Sequence, residues 1–146
     1  MIEYRDIHKA FDAPVLSGVE LSVQTGECLS IVGTSGTGKS VLLKTTNGLL
    51  FPDRGDVLID GQSVFSSGRH ALERIRRKVG YVFQYAALFD SLTVCQNVCQ
   101  GLPGIGALDH PSPEALRRVC EALEAVNLDP HRIINSLPAE LSGGMR

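Results

Sequence analysis

The chain has 146 residues, 43% of them hydrophobic, which is enough for a core in one domain of common size and argues against disorder. With 14 basic and 16 acidic residues the formal charge is -2, so no global positive field draws it toward nucleic acid or anionic lipid. The start Met1-Ile2-Glu3-Tyr4-Arg5-Asp6 lacks the basic opening and apolar run of a signal peptide, and no apolar stretch is long enough to span a bilayer; a cytoplasmic chain is expected.

In chain order, Ile2 to Phe11 and Val15 to Val23 alternate apolar and polar residues around Asp12-Ala13-Pro14, which predicts two strands joined by a turn. Cys28 to Val32 is a short apolar run predicted to be a buried strand leading into a glycine-rich loop. A helix is predicted from Lys39, ending near Gly48. Pro52 to Gly55 reads as a turn, Val57 to Ile59 as a strand and Asp60-Gly61 as a second turn. Leu72 to Lys78 is expected to be a solvated charged helix, and Val79 to Phe83 another buried strand.

Gly101 to Pro113 lacks periodicity and reads as a loop. Ser112 then caps a helix with Pro113 in its first turn, and Leu116, Val119, Cys120, Leu123 and Val126 are predicted to form its packed face. The four cysteines, Cys28, Cys95, Cys99 and Cys120, form no CxxC pair and have no histidine at zinc-ligand spacing, so small buried thiols are expected.

Chemistry concentrates in Gly33-Thr34-Ser35-Gly36-Thr37-Gly38-Lys39-Ser40, which fits glycine, four variable residues, glycine, lysine and serine or threonine. Glycines let the backbone wrap a phosphate chain, so that successive N–H groups and the following helix N-terminus face its oxygens. Lys39 is placed to reach the β- and γ-phosphates and Ser40 to set its hydroxyl on Mg²⁺. An accidental match at the four fixed positions arises in about one chain in two hundred of this length. The preceding strand and following helix make accident rarer still.

The loop alone does not separate kinases, GTPases and transport ATPases. The last residues, Leu141-Ser142-Gly143-Gly144-Met145-Arg146, narrow the choice because they resemble the LSGGQ signature of ATP-binding cassette (ABC) proteins, with Met145 in place of the usual glutamine. The resemblance implies a P-loop NTPase of α/β class: an ABC-type nucleotide-binding domain with a parallel sheet core, an N-terminal antiparallel β element and a helical subdomain. It implies ATP and Mg²⁺ as ligands and no other metal. Gln84 would be the Q-loop residue, contacting Mg²⁺ and sensing the membrane partner. Ser142, Gly143 and Gly144 would grip the γ-phosphate of ATP held by a second subunit in a head-to-tail dimer. Phe11 falls where the family places an aromatic residue that stacks on adenine, a core phenylalanine being the plainer reading.

Ser40 to Lys44, Gly48 to Leu50, Pro52 to Gly55, and above all Phe83-Gln84 with Ala87 to Val94, look like the ATPase of Mla-type lipid transporters. That implies phospholipid or similar apolar cargo, a transmembrane permease partner, and a place at the inner face of the cell membrane. Gln96 departs from the glutamate usual before Asn97-Val98, and Cys95 and Cys99 are unexpected there; these departures bear on subunit contacts.

The expected organisation is residues 1–84 as phosphate-loop core and 85–146 as helical subdomain. The family's Walker B aspartate, catalytic glutamate, D-loop and switch histidine have no counterpart in the sequence: no run of four apolar residues ends in Asp-Glu, and His8, His70, His110 and His131 lie outside any such frame. With no catalytic carboxylate in the chain, binding without appreciable hydrolysis is expected, and a truncated ATP-binding module is the alternative to a transport subunit. Its parallel core is expected to expose apolar surface, predicting aggregation or dependence on a partner. Soluble ABC ATPases of translation or repair, with two cassettes or a more basic surface, fit less well.

Overall fold

Alternating apolar residues form the predicted hairpin: β1 (Ile2–Ala10) pairs antiparallel with β2 (Pro14–Val23), from Ile2 opposite Val23 to Ala10 opposite Pro14. The computed structural model describes residues 1–66, 68–102 and 110–146. It divides into two compact units, Met1–Val82 and Phe83–Arg146.

In the first unit β3 (Arg54–Ile59) pairs antiparallel with the other edge of β1, and β4 (Gln62–Ser63) returns along β3, giving the order β2-β1-β3-β4. Asp60 and Gly61 both have positive φ, the conformation a two-residue hairpin needs to follow strand twist. Helix α1 (Lys39–Thr46) contributes Leu42 to a core with Tyr4, Ile7, Leu16, Val57 and Ile59. The Tyr4 hydroxyl and Thr46 Oγ1, 2.5 Å apart, tie β1 to α1; burial pushes the Tyr4 phenol up, an effect this hydrogen bond partly offsets.

The charged run is solvated as expected: Glu73, Arg74, Arg76, Arg77 and Lys78 are exposed. Up to Arg76 it lies in α2 (Arg69–Arg76), whose Ile75 is fully buried. Arg76 Nε donates to the Asn47 carbonyl at 2.9 Å and Nη2 to the Gly48 carbonyl at 3.1 Å, closing the C-terminal end of α1.

Two expectations fail in the same way. Residues 28–32 and 79–83, predicted as buried strands, join no sheet ladder among the described residues. Val32 is 88% and Val82 95% exposed, and Cys28, expected to be buried, is exposed. A parallel strand gains its hydrogen bonds only from strands beside it, and neither segment pairs with a described strand. An apolar cavity of about 230 Å³ is lined instead by Leu29, Ile31, Val79 and Tyr81 with Tyr4 and Leu43.

The second unit is helical: α3 (Val94–Gln100), α4 (Pro113–Ala125) and α5 (Pro130–Ile133), then a 3₁₀ turn at Pro138–Glu140. Thr93 and Gln96 form a reciprocal cap on α3, with Thr93 N–H donating to Gln96 Oε1 at 2.9 Å and Gln96 N–H to Thr93 Oγ1 at 3.3 Å. Gln96 thus serves its own helix with an amide oxygen. Ser112 caps α4 as predicted, accepting from Ala115 N–H at 3.2 Å, with Pro113 in the first turn. The buried stripe of α4 is Ala115, Val119 and Leu123, whereas Leu116 and Val126, expected in it, are exposed, so the packed face is rotated toward Ala115. Cys95 and Cys99 belong to this core with Val94, Ile133 and Leu141. Burial first, and the neighbouring Cys99 thiol second, push the Cys95 thiol up to about 11. The predicted loop 101–113 falls largely outside the described residues.

Candidate functional site

Gly33 to Thr37 form an exposed loop that turns at the buried Gly38 into α1, whose first residues are Lys39 and Ser40. Gly38 is the N-cap, with φ 91°, and the Leu42 N–H donates to its carbonyl at 2.8 Å. A Cβ there would lie 2.9 Å from Val15 Cγ1 and 3.2 Å from the Val15 carbonyl oxygen, so the start of β2 presses directly against the loop. Only glycine meets both demands.

Lys39 folds back over the loop: its ammonium donates to the Gly33 carbonyl at 2.8 Å and the Thr34 carbonyl at 2.6 Å, with Thr37 Oγ1 at 3.4 Å. Thr37 Oγ1 in turn donates to the Thr34 carbonyl at 2.9 Å. The cation therefore rests on neutral oxygens of its own loop, which an anionic oxygen can replace with stronger charge-assisted bonds. Ser35 and Gly36 are exposed along the loop, and Ser40 is exposed in the first turn of α1. A cation, a helix start and an accessible hydroxyl on one short segment fit a polyphosphate with a hard divalent ion.

Phe11 lies in the turn between β1 and β2, where its N–H donates to the Ala13 carbonyl at 3.1 Å. The ring is 61% exposed, which sets aside the core reading. Val15, four residues on, is the residue that touches Gly38, so the turn and the loop share a support within the first unit. Around Phe11 stand two residues that motif reading missed. Lys9 Nζ lies 5.6 Å from the ring centroid and donates to Asp53 Oδ1 at 2.6 Å. The hydrogen bond from Lys9, and next that from the Ala10 N–H, hold the Asp53 carboxyl below the usual carboxylate range. A lysine two residues before an exposed aromatic was the available sequence signal; its acidic partner 44 positions away was not.

Gln84 and Ser142 to Gly144 belong to the second unit. Gln84 is exposed at a bend. Leu141 is buried, while Ser142, Gly143 and Gly144 are exposed, and Met145 and Arg146 N–H donate to the Ser142 carbonyl at 3.0 and 3.3 Å as a helical turn begins. The Arg146 guanidinium bonds back to the Leu141 carbonyl through Nε at 3.1 Å and Nη2 at 3.0 Å.

The glycine loop entering α1 marks the fold as that of a P-loop nucleotide-binding domain. The family described as ABC transporter matches residues 16–146, and the chain belongs to it. Its fold is the ABC-type nucleotide-binding domain: it superposes with a TM-score of 0.84, at 32% identity, on a dimeric post-hydrolysis state of the ATP-binding cassette MJ0796 bound to ADP and Pi, covering 99% of this chain and 65% of that one. The methionine import ATP-binding protein MetN of Caulobacter vibrioides is 41% identical over 100% of this chain and 43% of its own length. The sulfate/thiosulfate import ATP-binding protein CysA of the same organism is 43% identical over 99% of this chain and 41% of its own. The phosphonates import ATP-binding protein PhnC of Alcaligenes faecalis is 39% identical, over 100% and 55%. The chain thus spans about two fifths of the MetN and CysA relatives.

Proposed function

We propose that the chain is the nucleotide-gripping part of an ABC transporter's ATP-binding subunit. Gly33 to Ser40 would hold the phosphates, with Lys39 pairing with the terminal ones; Ser40 would hold Mg²⁺, Gln84 would act as the Q-loop residue, and Phe11 would take the adenine. Ser142 to Gly144 meet the nucleotide on a second copy in a head-to-tail dimer, and a transmembrane permease at the inner face of the membrane receives the work. The observation that carries this is the Lys39 ammonium lying across the loop carbonyls at a helix start. Bound Mg²⁺ supplies charge neutralisation at the phosphates; the chain's own residues bind and orient.

No Asp-Glu pair closes an apolar run in residues 1–146, so these residues account for binding rather than turnover. Calorimetry with Mg²⁺-ATP tests the reading: Lys39→Ala should weaken binding at least tenfold, from the roughly 1.5 to 3 kcal/mol of a bond to a charged group. Unchanged affinity in Lys39→Ala would remove the loop from the site.

For cargo we favour phospholipid or a similar apolar molecule, on the Phe83-Gln84 and Ala87 to Val94 segments that resemble lipid-transport ATPases. Import of a small polar solute is the second reading, favoured by relatives named for methionine, sulfate/thiosulfate and phosphonates. The complex of subunit and permease decides between them: ATP turnover raised by phospholipid vesicles supports the first, and turnover raised only by a polar solute with its binding protein supports the second.

A further inference from the structure

Phe11 has an exposed ring on a turn of three residues between two strands, and such a ring needs something to fix it if it is to be a platform. Asp53 stands at the junction. Its own N–H donates to the His8 carbonyl at 2.9 Å, which locks it beside the end of β1. One carboxylate oxygen, Oδ2, accepts from Ala10 N–H at 2.7 Å, and the other, Oδ1, accepts from Lys9 Nζ at 2.6 Å. The Lys9 side chain is only 15% exposed, so its stem is packed and its ammonium is not free to wander. That ammonium sits 5.6 Å from the Phe11 centroid, within the range of a cation over an aromatic face.

We infer that Lys9 and Asp53 are positioning residues for base recognition: Asp53 aims the Lys9 ammonium at one face of Phe11, which fixes the ring and leaves the other face for the purine. This rests on Phe11 being the adenine platform. The two residues do not touch phosphate in this scheme. Their effect therefore falls on the base-dependent part of affinity and not on the phosphate-dependent part, which separates them from Lys39 and from any general loosening of the fold.

The measurement is the ratio of dissociation constants for inorganic tripolyphosphate and for ATP, each with Mg²⁺, by calorimetry on the full chain. Phe11→Ala should lower the ratio most, because base stacking is lost. Lys9→Met, which keeps the stem and removes the charge, should lower it about two- to fivefold with tripolyphosphate affinity unchanged, and Lys9→Arg should restore it. Asp53→Asn should behave like Lys9→Met; if it fails to fold, the Lys9 pair decides. A ratio that collapses in Phe11→Ala but stays at the wild-type value in Lys9→Met overturns the inference and leaves the platform standing. A ratio unmoved by Phe11→Ala overturns the platform, and the inference with it. Equal loss of ATP and tripolyphosphate in Lys9→Met would make Lys9 a phosphate or folding residue and also sink the proposal.

Discussion

Replacing Gly38 by alanine adds one methyl group at the point where the phosphate loop meets β2. Two costs are separable. A residue with a Cβ at φ 91° gives up about 1 to 2 kcal/mol to left-handed backbone strain. The new Cβ also lands 2.9 Å from Val15 Cγ1, 3.1 Å from Leu16 Cδ2 and 3.2 Å from the Val15 carbonyl oxygen. The last is backbone and cannot rotate away, so about 1 to 3 kcal/mol of overpacking is added. Gly36 is the control: its φ of 82° carries similar strain, but a Cβ there has nothing within 4 Å. Gly38→Ala should therefore lose about 2 to 5 kcal/mol and Gly36→Ala about 1 to 2, measured by urea unfolding with unchanged slope. If the two variants fall within about 0.5 kcal/mol of each other, which is the scatter of sites without a special mechanism, the packing of Val15 on the loop is not what requires glycine at 38.

Arg76→Met should lower stability by about 1 to 3 kcal/mol in the same assay, because it leaves the Asn47 and Gly48 carbonyls at the end of α1 without their guanidinium donor; a neutral result would reduce the contact to surface decoration. Asp60 is held down to about 2 by Lys78 and the N-terminal ammonium, so its contribution is present above the unfolded value near about 4 and is lost as pH falls from there through 2. Stability should consequently drop less between pH 4 and 2 in Asp60→Asn than in the native chain, and parallel acid profiles would contradict the pairing. Maleimide at pH 8, followed by mass spectrometry, should label exposed Cys28 promptly and Cys95 only after unfolding, since Cys95 is buried and pushed up to about 11. Equal labelling rates would show that the second core is open.

Local rules made much of the chain legible. The hairpin followed from alternation, the tight turn from Asp60-Gly61, and α4 from Ser112 and Pro113, because each signal sits within a few residues of what it controls. The loop from Gly33 was legible for the same reason. The segments 28–32 and 79–83 were misjudged because apolar composition reports a strand's preference for burial, while its ladder depends on a neighbouring strand. Lys9 with Asp53, and Arg76 with the end of α1, escaped notice because their partners lie 44 and 28 to 29 positions away and carry no motif. The resemblance to a lipid-transport ATPase rested on Ser40 to Lys44, Gly48 to Leu50 and Pro52 to Gly55 in the first unit and, above all, on Phe83-Gln84 with Ala87 to Val94 in the second; most of these segments speak to the machinery around the site rather than to phosphate.

Helix α1 is eight residues long, too short to persist on its own in water. It is clamped instead: β2 presses on its first turn through Val15 and Gly38, β1 holds its end through Tyr4 and Thr46, and α2 closes its last carbonyls through Arg76. A genetic screen for lost nucleotide binding should therefore recover changes at Val15, Tyr4 and Arg76, positions outside the loop, alongside the loop itself. Suppressors of such changes should map to the opposite clamp.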